Sequence, residues 1–201
     1  MNPVILGLLA AAGNVIGAVV VVRHLRRGLE LIEALIAFGA GFMLAVVLVG
    51  VLPEVFHGGA VLPGVFVFAG YFGVHLSQHV FTQHFHYGVE THRVAAKAGF
   101  SALVGLSIHS LFDGVAIAAG LLVSPQLGVL LFLAVFLHKL PEGVTIASLV
   151  MAGGQNARRA IGAAAVLGLA TVLGVLLTER AAPLAERGLA LAAGVTLYVA
   201  A

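Results

Sequence analysis

Residues Lys97 to Val123 read KAGFSALVGLSIHSLFDGVAIAAGLLV, an apolar run in which Asp113 is the one charged side chain beyond Lys97 itself. A hydrocarbon core about 30 Å thick takes about 20 apolar residues to cross as a helix, so this stretch can span a bilayer while carrying a carboxylate inside it. A strand of a membrane barrel would alternate polar and apolar positions, and this stretch does not.

Stretches of the same kind recur from end to end. Of 201 residues, 61% are hydrophobic and 9% charged, and the mean hydropathy is +1.14, which leaves too little polar surface for a water-soluble fold. The pattern predicts helices at about 3–22, 33–53, 60–80, 97–123, 126–151 and 160–178, with a seventh over 188–201. That last segment is shorter than the roughly 17 to 25 residues a crossing requires, so the chain is expected to end within its seventh helix. The expectation is an all-α polytopic membrane protein, one transmembrane domain over 1–201 with a loop at 82–96. The 26 glycines suit close helix packing. Asn2 to Val22 lacks a basic leading region and reads as an uncleaved span. A formal charge of +2 gives no footprint for nucleic acid, and the absence of cysteine removes thiolate ligands and disulfides.

The connections differ in charge. Arg23, Arg26, Arg27, Arg93, Lys97, Arg158 and Arg159 fall on one side, Arg180 and Arg187 on the other. The positive-inside rule then makes the first, third and fifth loops cytoplasmic and puts the N-terminus outside a cell membrane, the inner membrane in a Gram-negative cell. A short echo links Ala40-Gly41-Phe42-Met43-Leu44 with Ala193-Gly194-Val195-Thr196-Leu197. These two helices would run in opposite directions, as inverted repeats of transporters do.

Three charged residues fall well inside spans: Asp113, Lys139 and Glu142. An ionisable group at mid-membrane costs at least about 2.5 kcal/mol on insertion scales, so each is expected to face a partner or a watery path. The fourth span carries His109-Ser110-Leu111-Phe112-Asp113-Gly114 and the fifth His138-Lys139-Leu140-Pro141-Glu142-Gly143. In each, a histidine and a carboxylate at i, i+4 share one helix face. Should the faces oppose, two imidazoles and two carboxylates converge in a nitrogen and oxygen shell suited to zinc, and also to ferrous iron or manganese. Pro141 gives no amide hydrogen to the Leu137 carbonyl, which predicts a bend and a free acceptor. Gly114 and Gly143 permit close helix approach. Interhelical hydrogen bonds, or an ion pair of Lys139 with Asp113 or Glu142, would explain any one of these residues alone. The repetition on consecutive helices favours a site.

At these two motifs the sequence resembles the ZIP (Zrt/Irt-like protein) family of divalent metal transporters, of bacterial type. Its fourth helix typically reads His-Asn/Ser-x-x-Asp/Glu-Gly and its fifth His-Glu/Asn/Lys-x-Pro-Glu-Gly. Ala37 to Leu44, running on to Leu52-Pro53-Glu54, is similar to the family's second helix, and Leu189 to Tyr198 to its seventh. The resemblance implies an eight-helix bundle with both termini outside. Zinc first, with iron, manganese or cadmium as further substrates, would be carried into the cytoplasm through a site between helices four and five. On matching positions, His109, Asp113, His138 and Glu142 are the metal ligands, Met43 an added thioether ligand and Ser110 a weak one. The metal is cargo; no organic cofactor is implied, and the partners are the ion and the bilayer, with a homodimer as one compatible assembly. Many members hold two metals side by side. Here Lys139 places a cation where the second would lie and the sixth span has no carboxylate, which predicts a single metal.

His75, His79, His84, His86 and His92 crowd the end of the third span and the loop after it. Such tracts bind transition metals through neutral imidazoles, and a solvated loop anchored by Phe81, Phe85 and Tyr87 explains them equally. Two rival functions use the same residues. A haem subunit could take His109 and His138 as axial ligands but leaves the carboxylates and Pro141 unexplained. An intramembrane zinc-dependent hydrolase could use Glu142 as general base.

Overall fold

The computed structural model describes residues 1–24, 29–57, 61–81, 91–182 and 185–200. Among them the chain is helical throughout. We number the helices α1 (Pro3–His24), α2 (Leu29–Val46), α3 (Val61–Phe81), α4 (Thr91–Val123), α5 (Pro125–Ala152), α6 (Ala157–Arg180) and α7 (Ala185–Ala200). The axis of α2 continues through a π-helical stretch, Val47–Val51, into a last turn, Leu52–Val55. The start of α4 at Thr91 corrects the expected loop over 82–96: residues 91–96 are helix. A fall in hydropathy marks where the bilayer ends, whereas Ala95, Ala96 and Lys97 remain good helix formers in water. Residues 82–90 lie outside the described residues.

Among the described residues, five helical segments are long and apolar enough to cross a membrane: Pro3–Arg23, Ala37–Val55, Gly99–Val123, Pro125–Ala152 and Ala157–Arg180. Their outer faces carry large apolar side chains such as Phe38, Val49, Phe100 and Leu169, all more than half exposed. A surface of this kind is stable against lipid tails, not water. The protein is a multi-pass membrane protein.

The spans of α4 and α5 are 56% and 50% buried, against 28% for α2, so these two form the centre. Ser124 alone separates them, its hydroxyl capping α5 by accepting from Leu127 N at 3.2 Å, with Pro125 at the first helical position. So short a link forces α4 and α5 to run antiparallel in contact. One core cluster, with Met43, Val47, Val51, Ala116, Leu131 and Leu189, joins them to α2 and α7. A second, with Ala18, Ile146, Ala160 and Leu167, joins α5 to α1 and α6. The end of α2 and the start of α7 line one cavity through Glu54 and Glu186, so the two echoing helices do run in opposite directions.

Two crossings clamp the centre from behind. Gly114 of α4 lies against the Thr171 carbonyl of α6, and Gly174 of α6 against the Leu111 carbonyl of α4; a methyl on either would overlap that oxygen. The α1–α5 crossing repeats the arrangement, with Gly143 against the Asn14 carbonyl and Gly17 against Leu140. In bilayers, where apolar burial gives helices little reason to associate, such backbone approach is a main source of packing energy. Both pairs use a glycine directly after a buried carboxylate, so the same contacts that hold the bundle fix the height of Asp113 and Glu142. Gly174→Ala is expected to destabilise the protein by about 3 kcal/mol, as overpacking does, read as loss of the folded fraction on heating in detergent. Gly105→Ala, whose added methyl meets nothing within 4 Å, should leave the transition unchanged.

Candidate metal centre

The hairpin explains how residues far apart in sequence meet. His109 lies fifteen residues before Ser124 and His138 fourteen after it, so two antiparallel helices of equal rise per residue bring them to one depth. Their rings lie 5.4 Å apart between centroids, tilted by 35°. Asp113 completes the group: its Oδ2 lies 3.4 Å from His109 Nε2 and 3.2 Å from His138 Nε2. One ligand atom from each of the three residues falls within 4.8 Å of the others, and all three residues are buried.

The hydrogen bonds of the two imidazoles define what the group lacks. His138 Nδ1 is 2.9 Å from the Ala134 carbonyl, which can only accept, so Nδ1 carries the proton. In the neutral ring Nε2 then holds a lone pair and points at a carboxylate oxygen, acceptor against acceptor. That geometry needs a cation between the two atoms, either a proton or a metal. A carbonyl that orients the ring through its other nitrogen is the usual support for a metal-binding imidazole. His109 is starker: both its ring nitrogens are buried without a hydrogen-bond partner, a costly arrangement for a side chain with no further task.

Lys139 is fully buried, with Nζ 2.7 Å from Asp113 Oδ2, 2.5 Å from Glu142 Oε2 and 2.8 Å from Ser110 Oγ. Ser110 in turn donates to Glu142 Oε1 at 2.8 Å. Asn14 of α1, with its amide nitrogen turned toward the site, donates to Glu142 Oε2 at 3.1 Å and to the Lys139 carbonyl at 2.7 Å. Glu142 is therefore engaged by Lys139, Ser110 and Asn14 and stands outside the three-residue group. In formal charge, one ammonium offsets one of two carboxylates and leaves the site at −1, enough to attract a divalent cation without holding two.

The remaining sequence candidates fall elsewhere. A Cβ on Gly39 of α2 would lie 3.3 Å from His138 Cβ, so α2 borders the site; Met43, one turn further along, is buried in the cluster with Val47 and Leu131. His75 stacks edge-on against Tyr198, 5.6 Å between centroids, on the α3–α7 pair. The side chains of His79, His84, His86 and His92 lie outside the described residues. The sequence reading did not single out Asn14. Its signal was available, a lone amide in the middle of an otherwise apolar first span, but an asparagine there has no spacing motif to attach it to a site on α5.

A buried histidine and carboxylate group at the centre of a polytopic bundle defines a membrane metal-binding protein. Residues 88–201, more than half of the chain, match the family model described as ZIP zinc transporter. The chain belongs to the ZIP family, and its function is divalent metal transport; the family is one of transporters rather than enzymes. No curated protein matches the chain.

Because removing one partner of a buried ion pair leaves the other uncompensated, Lys139→Met is expected to cost about 3 kcal/mol of stability in metal-free protein. Asn14→Leu should cost about 1 to 2 kcal/mol. Thermal unfolding in detergent followed by circular dichroism checks both, and an unchanged transition in Lys139→Met would remove the ion pair from the structural account.

Proposed function

We propose that this protein carries zinc, and with lower preference other divalent transition metals, into the cytoplasm through one site between α4 and α5. His109 Nε2, His138 Nε2 and an oxygen of Asp113 supply its ligands. The observation that carries this reading is two imidazole Nε2 atoms, of His109 and His138, 3.4 and 3.2 Å from a single carboxylate oxygen, with both ring nitrogens of His109 buried and without a hydrogen-bond partner. Nitrogen and carboxylate oxygen are the ligands zinc takes, and three protein ligands leave a fourth position for water or for Glu142. Ferrous iron and manganese accept the same donors, so the order of preference rests on the family and not on the ligand set.

In this reading Lys139 takes the place of a second ion. Its ammonium holds Glu142 and the Asp113 Oδ2 that faces the imidazoles, keeps the site at a charge suited to one divalent cation, and so lets the ion leave as well as enter. Met43 and Ser110 border the site without being required by it. The excess of basic residues on the first, third and fifth connections supports an N-terminus outside a cell membrane, with 1–201 acting as one transporter domain. A cavity of about 490 Å3 between the end of α2 and the start of α7 supports entry from that end, since Glu54, His57 and Glu186 line it beside Arg187. Carboxylates at a mouth raise the local concentration of cations.

The experiment is zinc flux into sealed proteoliposomes. His138→Ala should lower the initial rate at least tenfold while leaving the protein folded and inserted. A parent protein that moves no divalent metal, or a variant as fast as the parent, would refute the assignment.

A further inference from the structure

A groove of about 870 Å3 lies at the basic end of the bundle, where α5 ends and α6 begins beside α4. Its wall is apolar, formed by Phe100, Leu103, Leu149, Val150 and Val166. Phe100 and Val166 are 69% and 45% exposed, so the wall opens toward the membrane. At one rim stand Arg158 and Arg159. Among the described residues no carboxylate lines the groove and neither arginine forms an ion pair. Arg159 donates to the neutral side chain of Gln155.

The turn over Gly153–Asn156 builds this arrangement. Gly154 takes φ 77°, a left-handed conformation that glycine adopts without strain, and Asn156 caps α6 by accepting from Arg159 N at 3.0 Å. The cap fixes both arginines at the level where the apolar spans of α5 and α6 end, which is headgroup depth. Gly162 faces the groove, and a Cβ there would meet nothing within 4 Å. A slot walled by apolar side chains, open to the bilayer and crowned by two guanidinium groups at headgroup depth matches one ligand class in both polarity and charge.

We propose that this groove binds an anionic phospholipid, with its phosphate on Arg158 and Arg159 and an acyl chain along Phe100, Leu149 and Val166. Guanidinium pairs well with phosphate, and a basic residue near a membrane surface contributes to anionic lipid binding by a factor of about five. The leaflet is the one facing the basic loops, where anionic lipid is attracted. The site is independent of the metal assignment, because none of its residues touches the α4–α5 group.

Native mass spectrometry of the full chain released from detergent tests this, with phosphatidylglycerol and phosphatidylcholine supplied in parallel. The parent should retain one phosphatidylglycerol in preference to phosphatidylcholine. Arg158→Gln with Arg159→Gln should weaken that retention about tenfold or more while leaving the thermal transition unchanged, since both side chains are exposed. Gly162→Phe fills open space and should lower retention of lipid with both arginines still present. Soluble glycerol phosphate should not displace the lipid. Equal retention of the two lipids by the parent, no effect of the double substitution, displacement by glycerol phosphate, or a second copy of the chain in the groove would each overturn the proposal.

Discussion

One ammonium group organises the centre of this protein. Lys139 has no access to solvent and bonds two carboxylates and a hydroxyl at once. Without it, Asp113 and Glu142 would be two like charges buried in an apolar bundle, a state whose cost exceeds the packing energy of several side chains. With it, Glu142 is tied down by Lys139, Ser110 and Asn14, and Asp113 shares a single oxygen, Oδ2, between the ammonium and two imidazoles. The charge that stabilises the fold thus also decides how much negative potential remains for a cation.

That balance depends on position, and position depends on backbone contact. The single-residue link at Ser124 sets the depth of the two histidines against each other. The glycines that follow Asp113 and Glu142 seat α4 on α6 and α5 on α1. A glycine after each carboxylate therefore serves two ends: it closes a helix crossing on one face and holds a charged side chain on the other. The π-helical stretch Val47–Val51 that continues α2, with Val47 and Val51 buried beside the centre, interrupts regular helix within a membrane-crossing segment, and such stretches occur often near functional sites.

Much of this was legible in the sequence. The apolar runs defined the helices because backbone groups in lipid must be satisfied internally, which leaves helix as the default for each run. His109, Asp113 and His138 were found by their repeated spacing, and Lys139 by the cost of a charge in a span. What spacing could not reveal was how the charges would divide. The sequence makes Asp113 and Glu142 look equivalent, yet the antiparallel pairing puts Asp113 between the imidazoles and leaves Glu142 with Lys139. Asn14 was missed because its partner lies on α5, more than 120 residues away, and a tertiary contact of that range leaves no periodicity. The early start of α4 was missed because hydropathy reports the edge of the bilayer and helices extend past it.

The central claim is that two imidazoles and one carboxylate hold a single ion beside a fixed ammonium. X-ray absorption at the zinc edge, on protein loaded with zinc and counted by metal analysis, tests it most directly. The account predicts one zinc per chain, imidazole scattering from two histidines and light-atom ligands at about 2.0 to 2.2 Å. Two zinc ions per chain, or a first shell without imidazole, would contradict it.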